Sequence, residues 1–330
     1  MNRRRRLLVA IGAGALASTL KVFAQQPVKL WRIGYLELGS REFATASGRY
    51  QAFVDGMRGL GYVEGRTFVV EARFADGRYD RLSPLAAELV RANVDVIVTT
   101  ATSATHAAHR ATTTIPIVTT VVTDPIAEGF TASLARPAGN VTGLSTSNAE
   151  LVPKHFELLT KVLPRLRRVA VLTSPANQGH PNMLKNIQAA AQRAGTEVLP
   201  LAVGTPEEIE RAFATMARER TQAVIILGDT FFTQQARQIA ELARQRRLPS
   251  IYTANDYAEA GGLMSYGADI RDHFRRAATF VDKILKGAKP GELPFEQPTR
   301  FYLVINRKTA KAIGLAIPQE LLLRADRVIE

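Results

Sequence analysis

The feature that most constrains the fold is a regular alternation of short apolar strands with amphipathic helices, which begins near Lys29. The run RIGYL (32–36) is typical of a buried strand, and YQAFVDGMRGLG (50–61) follows it with apolar residues at helical spacing and a terminal glycine. This alternation predicts an α/β architecture with parallel sheets covered by helices on both faces. Two series of elements, each of about 120 residues, predict two doubly wound lobes with a ligand cleft between them.

A capping box supports one of the predicted helices in the second series. In TPEEIERAFATMARER, Thr205 suits the N-cap position, Pro206 suits the first helical position, and Glu208 comes three residues after the cap. We therefore predict a helix that starts at this point, between two strands of the second lobe.

Length and charge place limits on the class of protein. The chain of 330 residues is 46% hydrophobic and has a formal net charge of +13, so it is long and apolar enough for two separate cores. Five basic residues among residues 1–24 supply part of this charge and leave +8 for the remainder. The other basic residues are interleaved with acidic ones, without a basic stripe that alternates with aromatic residues. We therefore expect a soluble basic surface and no nucleic-acid partner.

Residues 1–24 have the three parts of a secretory signal peptide. The basic segment MNRRRR precedes an apolar run of 14 residues, which is short for a membrane span, and VFA fits a cleavage site after Ala24. The pair Arg5 and Arg6, followed by two leucines, leaves both the twin-arginine and the general secretory routes open. We expect an exported protein located in the periplasm.

Composition and motifs exclude several kinds of chemistry. The chain has no cysteine, which excludes disulfides, thiol nucleophiles and thiolate metal sites. His106 and His109 are one helical turn apart, but no acidic third ligand lies nearby in sequence, so we expect no metal site. A serine nucleophile would need a base and an orienting acid that the segment around Ser103 lacks. No GxxxxGK[ST] motif occurs, and we expect no ATP hydrolysis, no catalytic residues and no cofactor.

The segment TTATSATHAAHR (99–110) combines the end of a strand with the start of a helix. Thr102 or Ser103 suits the N-cap position, and Ala104 and Thr105 complete the first turn. The free amides and the positive end of the helix dipole at such a turn bind a carboxylate or phosphate without a charged side chain. We therefore predict that residues 102–105 contact an anionic group of a ligand, the alternative being a plain capping turn.

Short polar and aromatic residues also follow other strands of both series, at the edge where sites form in parallel sheets. The predicted ligand contacts at these strand ends are Tyr35, Asp124, Ser174, Asn177, Asp229, Tyr252 and Asn255. Asp124 has a second interpretation as the cap of its own turn, because a proline follows it. Phe231 and Phe232 either stack on a ligand or pack in a core.

Six sequence blocks span nearly all of the chain beyond the predicted signal peptide. They are GLGYVEGRTFVVEARFADGRYDRLSPLAAELV (59–90), TTTIPIV (112–118), DPIAEGFTASLARPAGNVTGLS (124–145), EAGGLMSYG (259–267), VDKILKGAKPGELPFEQPTRFYLVINRKTAKAIGL (281–315) and IPQELLLRADRVIE (317–330). Together these blocks resemble the substrate-binding components of ABC transporters, in the branch that contains tryptophan- and tyrosine-type binding proteins.

This resemblance implies a type I periplasmic-binding-protein fold, with two Rossmann-like lobes joined by three hinge crossovers. The implied crossovers lie near Gly143–Thr146, Gly267–Ile270 and Pro294–Pro298, where glycines and prolines cluster. The implied lobes are an N-terminal one of residues 28–144 and 269–294 and a C-terminal one of residues 145–268 and 295–330.

The resemblance also implies a function. A solute receptor of this kind binds a small organic molecule in the cleft, closes by a hinge motion, and delivers it to a membrane permease driven by a separate ATPase subunit. An aromatic or aliphatic amino acid is the first expected ligand and an aromatic carboxylate the second, with the receptor acting as a monomer. Two alternatives remain open: a sensor that presents ligand occupancy to a membrane receptor, and an exported α/β enzyme that uses the same cleft.

Overall fold

Two separate β-sheets, each flanked by helices, form the two lobes of the protein. The computed structural model describes residues 29–330, so the predicted signal peptide of residues 1–24 lies outside the described residues. The α/β class and the two-lobed arrangement are as the sequence predicts. None of the helices within residues 29–330 is both long enough and apolar enough to cross a membrane.

The first sheet contains five parallel strands in the order β2-β1-β3-β4-β5. Its strands are β1 (Trp31–Glu37), β2 (Phe68–Phe74), β3 (Val96–Thr99), β4 (Ile117–Val122) and β5 (Val141–Ser145). Its helices are α1 (Arg41–Ala46), α2 (Arg49–Gly59), α3 (Leu82–Arg91) and α4 (Thr102–Ala111). A short 3₁₀ turn, Tyr79–Arg81, precedes α3. Because all five strands run in the same direction, their carboxyl ends meet at one edge of the sheet.

The second sheet contains seven strands in the order β12-β11-β10-β9-β8-β6-β7. Its strands are β6 (Arg168–Thr173), β7 (Glu197–Ala202), β8 (Ala223–Ile226), β9 (Ser250–Tyr252), β10 (Met264–Gly267), β11 (Tyr302–Asn306) and β12 (Arg327–Ile329). All neighbouring strands are parallel except β10 and β11, which are antiparallel. The helices that alternate with β6–β10 are α5 (Asn148–Val162), α6 (His180–Arg193), α7 (Pro206–Arg218), α8 (Thr230–Gln234), α9 (Ala236–Gln245) and α10 (Asn255–Glu259).

The chain passes between the two lobes three times. It leaves the first sheet after β5 and returns after β10 through α11 (Ile270–Leu285), whose Phe274 and Phe280 pack with Phe53 in the core of the first lobe. Phe295 also packs with first-lobe residues, and the chain re-enters the second sheet at β11. The chain ends with α12 (Arg307–Ala312), α13 (Gln319–Arg324) and β12. The exact lobe boundaries stay a prediction.

Two predicted helix starts have different outcomes. Thr205 caps α7 as expected, because its side chain accepts a hydrogen bond from the Glu208 amide. The prediction that Thr102 or Ser103 caps α4 is wrong, since the N-cap is Ala101 and Thr102 is already the first helical residue. The Thr102 hydroxyl instead accepts a hydrogen bond of 3.1 Å from the Thr123 amide and ties two strand ends together.

Gly143 in β5 allows the close pairing at the first crossover. Its φ is +131°, and a Cβ at this position would lie 2.2 Å from the carbonyl oxygen of Thr119 in β4. We expect Gly143→Ala to lower the free energy of unfolding by about 2 kcal/mol or more, because both the backbone angle and the strand pairing must change. Urea unfolding measures this difference.

Gly59→Ala is the matched control for that substitution. A Cβ at Gly59 meets nothing within 4 Å, so we expect a change within about 0.5 kcal/mol. Equal effects of the two substitutions would contradict the role assigned to Gly143.

Candidate functional site

A cavity lies between the two lobes, where the carboxyl ends of both sheets face each other. Its first-lobe wall includes Arg49, residues 100–102 and Thr123, which follow the ends of β3 and β4 or begin α2. Its second-lobe wall includes Asn148, Asn177, Asp229, Thr230 and Thr253, which follow the ends of β6, β8 and β9 or begin α5. This is the position at which parallel α/β sheets bind ligands.

The first-lobe wall is built on the start of α4. The helix has no side-chain cap, so the amides of its first turn, at Thr102, Ser103 and Ala104, have no partner from the helix. Buried hydroxyl groups stabilise this turn. The Thr105 hydroxyl lies 2.7 Å from the Thr99 hydroxyl and 3.2 Å from the Thr119 hydroxyl. The helix start can therefore receive an anion through backbone amides.

The second-lobe wall contains a carboxylate that is paired with neutral donors alone. Asp229 caps α8 by accepting a hydrogen bond of 2.7 Å from the Phe231 amide, and it accepts a second one of 2.6 Å from the Asn177 side chain. Only 8% of Asp229 is exposed, and within residues 29–330 no Lys, Arg or His forms an ion pair with it. A buried carboxylate without a countercharge favours a cationic group in the cavity.

Tyr79 reaches across from the first lobe to this carboxylate. Its hydroxyl lies 2.7 Å from each oxygen of Asp229 and accepts a hydrogen bond of 3.2 Å from the Ser174 hydroxyl. Burial and the adjacent Asp229 raise the pKa of Tyr79 well above its ordinary value, so the phenol stays protonated and donates to the carboxylate. Ser174 thus contacts the site through Tyr79 and does not line the cavity.

A second contact between the lobes joins Arg49 of α2 to Asp256 of α10. The guanidinium forms an ion pair and hydrogen bond with the carboxylate, and it lies 5.1 Å from the centre of the Phe43 ring. Only 5% of Arg49 is exposed, so this cation is largely desolvated at the edge of the cavity. Sequence reasoning missed both Arg49 and Tyr79, because neither lies at a strand end.

Three of the predicted contacts, Thr102, Asn177 and Asp229, come together in the cavity. Ala104 and Thr105 are buried behind the helix start, and Ser103 is half-buried beside it. For residues 102–105, therefore, contact with a ligand stays a prediction that concerns the backbone amides more than the side chains.

The structure places the remaining predicted contacts outside the cavity lining. Tyr35 is fully buried in the first core, 5.3 Å from the Tyr50 ring, and Tyr252 stacks on Tyr257 at 4.3 Å in the second core. Both rings turn inward because burial of their apolar surface is more favourable than exposure in a polar cleft.

Asp124 and Asn255 are engaged locally. Asp124 accepts hydrogen bonds from the amides of Ile126 and Ala127. It therefore caps its own turn, which was the second interpretation of this residue. Asn255 accepts a hydrogen bond of 3.1 Å from the Ser265 hydroxyl. Neither side chain lines the cavity.

The two histidines of α4 point to different partners. His106 lies 2.8 Å from a carboxylate oxygen of Glu128, and His109 lies 3.2 Å from the side-chain oxygen of Asn140. Among the described residues no group of three or more His, Asp or Glu side chains could hold a metal ion.

A family of proteins and a curated relative both match most of this chain. The family of ABC transporter substrate binding proteins matches residues 44–329 of this chain. A curated relative, described as a tyrosine-binding protein of Clostridioides difficile (strain R20291), is 23% identical over 265 residues, which are 80% of this chain and 76% of the relative.

Two solved structures resemble the protein over 91% of this chain and 100% of their own. One is a conserved domain protein from Vibrio cholerae, with a TM-score of 0.84 and 28% identity. The other is an ABC domain from Streptococcus pneumonia in complex with L-Trp, with a TM-score of 0.83 and 26% identity. The matched family is one of solute-binding proteins and not of enzymes. The chain belongs to the family of ABC transporter substrate-binding proteins, with the type I periplasmic-binding-protein fold.

Proposed function

We propose that the protein is the periplasmic solute receptor of an ABC importer and that it captures an amino acid between its two lobes. The observation that carries this proposal is the pairing of two complementary walls across one cavity: free helix amides on the first lobe and an uncompensated carboxylate on the second. An amino acid presents one carboxylate and one ammonium group, so it matches both walls at once.

The ligand carboxylate binds at the start of α4. The amides of Thr102, Ser103 and Ala104 donate to it, and the helix dipole adds a favourable potential there. The Thr102 hydroxyl is already engaged with Thr123, which fixes the turn before the ligand arrives.

The ligand ammonium group binds beside Asp229. The carboxylate already accepts hydrogen bonds from three neutral donors, which orient it, and the ammonium supplies the missing positive charge. Relatives described as binding tyrosine and L-Trp support an amino acid as the ligand class.

Closure of the lobes accompanies binding. The contacts of Tyr79 with Asp229 and of Arg49 with Asp256 join the lobes across the cleft, and they can form only when the lobes approach each other. A ligand that contacts both walls stabilises the same approach, so binding shifts the population toward the closed form.

The closed receptor then docks as a monomer on a membrane permease with a separate ATPase subunit. The family to which the chain belongs supports this partner, and the predicted signal peptide of residues 1–24 supports the periplasm as its location.

Asp229→Asn tests whether the ammonium group of the ligand binds beside Asp229. The change keeps the shape of the side chain and removes its charge, so we expect the affinity for an amino acid ligand to fall by about 10- to 100-fold, the cost of one charged hydrogen bond. Isothermal titration calorimetry of the purified protein measures it.

Asp124→Asn is the control for Asp229→Asn, since it makes the same chemical change at a residue that caps a turn outside the cavity. We expect the Asp124→Asn variant to bind the amino acid ligand with the same affinity as the native protein. If both variants bind as tightly as the native protein, the ligand's cation does not bind at Asp229.

Tyr79→Phe tests the contact between the lobes. The variant loses the hydroxyl that donates to Asp229, so we expect the protein without ligand to occupy more open conformations and its radius of gyration to rise in small-angle X-ray scattering. The control, Tyr62→Phe, removes a hydroxyl that donates to Asp282 within the first lobe and should leave the radius unchanged. The same radius for Tyr79→Phe and the native protein would refute this role.

A further inference from the structure

Three largely buried polar side chains line the cavity. Asn148, Thr230 and Thr253 are 8%, 7% and 4% exposed, and all three line the cavity. None of them makes a side-chain hydrogen bond with another residue of the described chain, 29–330. Polar side chains that are largely buried usually have hydrogen-bond partners, so these three are available to bind a ligand that occupies the cavity.

Two other threonine hydroxyls of the same cavity already donate hydrogen bonds to backbone carbonyls. Thr146 donates to the carbonyl of Val122 at 3.3 Å, and Thr233 donates to the carbonyl of Asp229 at 2.8 Å. The three free side chains are therefore a distinct set within the wall.

Gly228 brings two of these side chains together. A Cβ at Gly228 would lie 2.5 Å from the side-chain nitrogen of Asn148 and 2.8 Å from the hydroxyl oxygen of Thr253. Both groups therefore converge on one point of the second-lobe wall, and a side chain there would displace them. Each of the three groups both donates and accepts hydrogen bonds.

The lining of the cavity disfavours a ligand with a large aromatic ring. Among residues 29–330, no aromatic residue lines the cavity, and its volume is about 50 Å³. The nearby rings of Tyr252 and Tyr257 stack on each other, while Phe231 and Phe232 pack together at 5.4 Å in the same core. Compact ligands fit such a site better than those with an indole or phenol ring.

We propose that Asn148, Thr230 and Thr253 form a subsite for a neutral hydrogen-bonding group, a hydroxyl or a carboxamide, on a compact non-aromatic amino acid. This inference rests on the proposed function and specifies the ligand's side chain. The subsite lies on the second lobe beside Asp229, so a ligand whose ammonium binds there places its side chain within reach.

The test compares ligands of nearly equal shape by isothermal titration calorimetry of the purified protein. L-threonine and L-valine differ by one hydroxyl in place of a methyl group, and L-asparagine and L-leucine differ by a carboxamide in place of an isopropyl group. We expect the polar member of at least one pair to bind tenfold or more tightly than its apolar partner, and both L-tryptophan and L-tyrosine to bind more weakly.

Two isosteric variants assign this preference to the subsite. Thr253→Val and Asn148→Leu should each reduce the preference for the polar ligand by about tenfold and leave the affinity for the apolar ligand within about twofold. The control Thr233→Val removes a cavity hydroxyl that is bonded internally, so it should leave the preference unchanged.

The outcomes separate this inference from the proposed function. If the apolar member of both pairs binds as tightly as the polar one, or if L-tryptophan or L-tyrosine binds most tightly, the subsite is wrong while amino acid capture stands. If no amino acid binds at millimolar concentration, the proposed function fails and the subsite fails with it.

Discussion

The hydrogen bond between the Tyr79 hydroxyl and the Asp229 carboxylate is the contact on which the architecture of the cavity depends. It joins a turn of the first lobe to the end of a strand in the second, and it satisfies a charge that would otherwise be buried with fewer partners. A carboxylate held in this way keeps its shape and position but forms no ion pair with any residue of 29–330. The same contact therefore holds the lobes together and prepares one wall for a cationic group.

The rest of the site follows from the geometry of parallel sheets. All strands of the first lobe end at the same edge of the sheet, and the turns after β3, β4 and β5 contribute residues to the cavity lining. Each lobe has its own hydrophobic cores, as the clusters around Phe53 and Phe213 illustrate. The cleft can therefore be polar without loss of either core, and its polar residues are available for recognition.

Sequence predicted the architecture and part of the site. The strand-helix alternation identified both lobes, and three of the residues chosen at strand ends, Thr102, Asn177 and Asp229, line the cavity. The same choice failed for Tyr35 and Tyr252, because the direction of a side chain at a strand end depends on packing that a sequence does not specify. Arg49 and Tyr79 could not be found in this way, since their partners, Asp256 and Asp229, lie on the opposite lobe. The antiparallel strand β11 was also missed, as the alternation predicts only parallel neighbours.

The central claim is that an amino acid bridges the two walls of the cavity, with its carboxylate on the first lobe and its ammonium group on the second. A crystal structure of the protein with L-threonine tests this most directly. We expect the carboxylate at the amides of Thr102–Ala104 and the ammonium group within hydrogen-bond distance of Asp229. A ligand bound with the opposite orientation, or bound outside the cleft between the lobes, would contradict the claim.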